Sequence, residues 1–143
     1  TGVAHSEFNH SKTDTVHFLQ IWIVPNRLGV EPQYQQEYFS PESKRGRLKT
    51  IISPDGTEGS LTLHQDANVY AGSFDGGETT IFDLPQDRYA YVHVARGRLS
   101  INGEELSAGD GVRVRRAKQL RFERGSDAEV ILFDLRPYET PQP

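Results

Sequence analysis

The 143-residue chain contains no cysteine and no methionine. Without cysteine there is no disulfide framework and no thiolate zinc site, so any metal must be held by histidine and carboxylate. The lack of methionine extends to position 1, and nothing from Thr1 to Asn9 resembles the end left by a signal peptide, so a piece of a longer polypeptide in the cytoplasm is expected. No apolar run approaches the roughly 20 residues of a membrane span, which argues against a membrane protein. Positive charge is also scarce: 16 Lys plus Arg against 20 Asp plus Glu leave a net charge of −4, a poor match for a surface that binds nucleic acid along its whole extent. Sustained helical periodicity is missing as well, which nearly excludes helix.

What remains is short apolar runs punctuated by 13 glycines and 8 prolines. Val16 to Val24, VHFLQIWIV, is rich in β-branched and aromatic residues and predicts a strand covered on both faces. Leu48 to Ile52 predicts another, closed by the turn Ser53-Pro54-Asp55-Gly56. Leu61 and Leu63 alternate with polar neighbours, and Asn68 to Phe74 reads as extended before Asp75-Gly76-Gly77 breaks it. Tyr89 to Ala95 alternates cleanly, Arg96-Gly97 predicts a bend, and Asn102-Gly103 is the pair favoured in type I′ hairpins. Val112 and Val114, Leu120 and Phe122, a polar turn at Arg124 to Asp127 and the run Val130 to Leu135 complete the series. Eight or nine short antiparallel strands without helices between them predict an all-β sandwich or barrel, most naturally a jelly roll. Ser11 to Thr15 and the tail 138–143 read as loose ends.

Five histidines carry the search for chemistry. His5 and Glu7 are two apart, so in an extended segment their side chains leave the same face and an imidazole nitrogen and a carboxylate oxygen converge. That is half a site for a divalent ion that handles dioxygen, and equally a pair of solvated polar residues on an end strand. His17 reads as a hydrogen-bonded core or interface residue, His64 as exposed beside Thr62, His93 as packed with Tyr91 and Tyr89, and His10 as pointing away from His5. Arg113, Arg115, Arg116 and Lys118, followed by Arg121 and Arg124, form a basic cluster. It reads first as a charged edge that discourages aggregation, and second as an anion or partner surface. No aromatic residues are interleaved with it, so nucleic-acid binding is not expected.

The string TGVAHSEFN followed by HFLQIWIVP resembles the junction between the two barrels of the pirin family of bicupins. Gly2-x-x-His5-x-x-x-Asn9 matches the end of the second cupin motif. The likeness continues through Ser53-Pro54-Asp55-Gly56, Gln65-Asp66-Ala67, Arg96-Gly97, Ala108-Gly109-Asp110-Gly111 and Leu132-Phe133-Asp134-Leu135. It implies a cupin-type jelly roll, the C-terminal half of a bicupin, with residues 1–15 a remnant of the N-terminal cupin and linker, 16–137 the C-terminal domain and 138–143 a tail. It also implies that His5 and Glu7 are two of four ligands to a divalent transition metal, iron first, with Mn, Ni, Cu, Zn or Co as alternatives. The other two would be an H-x-H pair in the missing N-terminal cupin domain.

A second site inside this barrel is not expected. The positions that would carry its ligands hold Asp83, Pro85, Ala90 and Leu120. Bacterial pirins imply a quercetin 2,3-dioxygenase with a flavonol substrate, in which Glu7 ligates the ion or takes the substrate proton as the catalytic group. With half of its ligands, this chain alone is expected to be inactive, to lose the metal, and to self-associate as a homodimer through the face its first barrel would cover. The alternative from the same family is a regulatory module that binds transcription factors.

Overall fold

The computed structural model describes residues 4–137 and is nearly all β. Eight strands follow one short helix, α1 (Pro41–Lys44), whose first turn is capped by the Ser40 hydroxyl accepting from the Ser43 amide. They are β1 (Leu48–Ser53), β2 (Leu61–Thr62), β3 (Ala67–Phe74), β4 (Thr80–Asp83), β5 (Tyr89–Ile101), β6 (Glu104–Ser107), β7 (Gly111–Val114) and β8 (Gln119–Leu135). The order across the sheet is β2-β1-β3-β8-β5-β6, with β4 pairing β8 and β7 pairing β5.

The two long strands make this a sandwich. The C-terminal part of β8 lies between β3 and the first half of β5, while its N-terminal part pairs with β4 and with the end of β5. Strand β5 likewise pairs first with β7 and then with β6. Each long strand therefore serves both layers, and the crossing is made by bulges: the β5–β8 register shifts three times between Val94 and Ser100. Gly97 sits there at φ +67°, a conformation open to glycine at little cost.

Between the layers lies one apolar core. Val92, Val94, Val130 and Leu132 from one half meet Leu99, Ile101, Leu120 and Phe122 from the other, with Phe74 and Ala128. All are buried, and Phe74 and Phe122 stack at 5.7 Å and 12°. The interior is thus filled by hydrocarbon. Ala90 and Leu120, two of the four positions a ligand would need, are part of that filling, and Asp83 is exposed.

Beside the core, Arg88 closes the end of β3, β5 and β8. It donates to the Asp134 carboxylate and, at 2.8 Å, to Asp66, while Asn68 donates to the other oxygen of Asp134 at 3.3 Å. Burial works against the Arg88 charge, but the bonds to Asp134 and Asp66 outweigh it and hold the guanidinium above its ordinary pKa. Asp134→Asn removes the charge facing Arg88 while keeping the shape, and should lower stability by about 1–3 kcal/mol in a urea titration.

Three expectations about the strands fail. Val16 to Val24 forms no strand: Phe18, Trp22 and Val24 are exposed, Trp22 to 88%. The segment finds no strand beside it in this sheet; Gln65 Nε2 donates to the Val24 carbonyl at 2.7 Å and, just beyond the segment, the Asn26 amide donates to the His64 carbonyl at 2.8 Å. Second, β2 runs parallel to β1 rather than antiparallel, because the turn after β1 continues through a 3-10 turn at Thr57–Gly59 and returns the chain in the same direction. Third, Arg124 to Asp127 is no turn between strands. Arg124 and Asp127 have φ of 56° and 45°, and they bulge β8 while the strand continues through them.

Ser11 to Thr15 is held by its own side chains. Ser11 Oγ accepts from the Asp14 amide at 2.9 Å and Asn9 Nδ2 donates to the Asp14 carbonyl at 2.7 Å. The expected loose tail, 138–143, lies outside the described residues.

Candidate functional site

His5 and Glu7 lie on an arm without regular secondary structure that precedes the barrel. An extended backbone puts residues i and i+2 on one side, and His5 Nε2 stands 3.7 Å from a Glu7 carboxylate oxygen. Both side chains are about two thirds exposed, 63% and 64%, so as an ion pair the contact stabilises little. As a donor set it is one imidazole nitrogen and one carboxylate oxygen. Metal bonds of about 2.1 Å could reach both from one point, since the atoms are closer together than twice that length. The pair therefore fits a divalent ion as two of its ligands. Among the described residues no group of three metal-binding side chains exists to complete it.

The other histidines separate. His17 is exposed on the unpaired segment rather than buried or bonded in a core. His10 is exposed. His64 is half-buried, with its Nδ1 3.3 Å from Arg27 Nη2. His93 does align with Tyr89 and Tyr91, but on the outer face of β5, since Ala90, Val92 and Val94 are the side chains that enter the core. That face, with Arg113 and Arg115 from β7 and the turn after it, lines a cleft beneath the Leu19–Val24 segment.

The basic cluster is divided in the same way. Strand β7 pairs only with β5 and so is an edge, as the anti-aggregation reading requires. Arg121 and Arg124 belong to β8 and are engaged, by Glu123 at 2.8 Å and by Glu105 at 2.9 Å. Sequence reasoning missed the cleft because its lining comes from five separate stretches of the chain. The one available signal was the Tyr89–Tyr91–His93 alternation, which gives a common face and not the side of the sheet on which it lies.

Residues 50–135 match the family model described as the quercetinase C-terminal cupin domain. The chain is 36% identical over 137 residues to the quercetin 2,3-dioxygenase of Escherichia coli K12, covering 96% of this chain and 58% of that protein. Its structure is similar to the crystal structure of YhhW from E. coli, with a TM-score of 0.75 and 31% identity over 83% of this chain and 50% of the other. It is equally similar, at 0.75 and 32%, to the bacterial pirin YhhW in complex with nickel(II), covering 82% of this chain and 49% of that one. The chain thus spans about half the length of these relatives, 49% to 58%. No helix among the described residues is long and apolar enough to cross a membrane.

Proposed function

Because the chain belongs to the family of quercetinase C-terminal cupin domains, we propose that it is the C-terminal barrel of a pirin-like bicupin whose parent is a metal-dependent quercetin 2,3-dioxygenase. The observation that carries this reading is the convergence of His5 and Glu7, 3.7 Å apart on an exposed arm, beside a barrel whose own interior is filled by apolar side chains. Chemistry placed at this arm needs a second wall. The first barrel supplies it, together with the remaining ligands.

In this reading residues 16–24 also belong to the first barrel. An apolar segment with Phe18, Trp22 and Val24 exposed and no partner strand in this sheet gains a ladder and a cover by completing another. The domain boundary then falls after Val24 instead of at residue 15. The same cover accounts for the exposed Phe8, Phe18 and Trp22 without a homodimer.

His5 holds the ion through a neutral ring nitrogen, and Glu7 through a carboxylate oxygen. Iron suits such a mixed nitrogen and oxygen set with open positions. When bound, the metal supplies a Lewis acid that orients the oxygens of a flavonol. The Glu7 carboxylate is the group placed to take the flavonol hydroxyl proton. Filling of the C-terminal barrel keeps substrate and water out of it, so the single reaction centre lies at the arm.

The test compares the full-length parent with the 143-residue chain, with metal content and quercetin consumption measured for both. Full-length protein is expected to bind a divalent metal and consume quercetin. His5→Ala and Glu7→Gln should each reduce metal affinity and turnover by at least about a hundredfold, and the isolated chain should do neither. Retention of metal by both variants would overturn the ligand assignment. A metal-loaded parent without turnover would favour the regulatory, protein-binding reading.

A further inference from the structure

The cleft between the Leu19–Val24 segment and the outer face of the sheet gathers side chains that the fold does not otherwise need. Its volume is about 690 Å³, within the range of pockets that hold small organic molecules. The floor is aromatic. Tyr91 of β5 lies opposite Phe133 of β8, their rings 6.0 Å apart and tilted by 37°, and Tyr89 continues the same row. Tyr91 reaches over β7 because residue 111 is glycine: a Cβ there would overlap the Tyr91 hydroxyl oxygen. Trp22 stands at the mouth, on the segment that forms the opposite wall.

The cleft carries uncompensated positive charge. Arg113 and Arg115 alternate along the chain at β7 and its end, and both line it. Neither meets a carboxylate at ion-pair distance among the described residues, whereas Arg45, Arg88, Arg96, Arg121 and Arg124 all do. Arg115 is held over the floor, its guanidinium carbon 4.7 Å from the centre of the Tyr89 ring, a cation–π arrangement that orients the donor fork. The one acid on the wall, Asp66, is occupied by Arg88 at 2.8 Å. A flat apolar ring would find stacking surface here, and a single negative charge would find two cations without counterions. Guanidinium matches the planar carboxylate through paired hydrogen bonds.

We propose that this cleft is a binding site for an aromatic carboxylate, its ring laid over Tyr91 and Phe133 and its charge on Arg113 and on Arg115, which stands over Tyr89. The site is separate from the His5–Glu7 centre. It needs no metal, and every residue that lines it belongs to this chain.

Calorimetric titration of the 143-residue chain with 1-naphthoate and with its uncharged counterpart 1-naphthamide tests the proposal. The carboxylate should bind at least about tenfold more tightly than the amide. It should also change the emission of Trp22, the single tryptophan of the chain. Arg113→Gln combined with Arg115→Gln should remove that preference, so that the carboxylate binds no more tightly than the amide, with the Tm of the variant confirming its fold. Equal affinity for the two probes, an unaltered preference in the double variant, or no binding of either probe at millimolar concentration would each overturn it. Should the double variant not fold, the two-probe comparison on the unsubstituted chain decides the matter. Quercetin turnover enters none of these readouts, so failure here is distinguishable from failure of the dioxygenase reading.

Discussion

Truncating Phe122 to alanine should lower the unfolding free energy by about 3–5 kcal/mol, read from urea or guanidinium titration. Phe122 is fully buried, and its ring stacks on that of Phe74 at 5.7 Å. Its removal therefore costs both the transfer of the ring from water and the contacts of a void that β8 cannot close. That strand is paired on both sides at this position, with Thr80 on one side and Ile101 on the other. The matching control is Trp22→Ala. Trp22 is the larger side chain but is 88% exposed, so its truncation should change stability of the isolated chain by less than about 0.5 kcal/mol. If the two costs were alike, the arm would be part of the core and the description of the sandwich would be wrong.

Gly97→Ala should destabilise by about 3 kcal/mol or more, on the same titration. Two effects add. Residue 97 sits at φ +67°, and an added Cβ would overlap the carbonyl oxygens of both Asp127 and Ser126. These are backbone atoms of the adjoining β8 bulge and cannot rotate away. Gly76→Ala separates the two effects. Gly76 has φ +81°, but an added methyl group there would meet nothing within 4 Å, so only the left-handed backbone penalty of about 1–2 kcal/mol applies. The excess at 97 measures how closely β5 and β8 pass where they cross between layers.

Much of this architecture could be read along the chain. The Asn102-Gly103 pair does form the hairpin between β5 and β6, with φ of 52° and 89°, as a type I′ turn requires. Strands β1 and β3 lie within a residue of their expected bounds, since alternation and turn residues mark them locally. What escaped was non-local. Whether Arg124 to Asp127 ends a strand or bulges one depends on partners that exist only after β5 has been placed. The apolar run Val16 to Val24 has the composition of a strand, yet composition cannot say which sheet receives it. The His5–Glu7 pair was legible because its spacing alone brings the two groups together. The aromatic floor of the cleft was half legible: the row Tyr89, Tyr91, His93 was evident, but the side of the sheet it occupies follows from Val92 and Val94 filling the interior.

The placement of β8 has a consequence for how the molecule is made. This last strand pairs with β3, β4 and β5 and supplies Leu120, Phe122, Val130 and Leu132 to the core. Neither layer is complete without it, and β3 must wait more than forty residues of synthesis for its neighbour. During translation the chain can form the β5–β6 hairpin early, because that contact is local. The sandwich itself closes only after Leu135 has left the ribosome. Until then the apolar sides of β3 and β5 stay open to other chains, and nascent-chain chaperones have the most to protect in that interval.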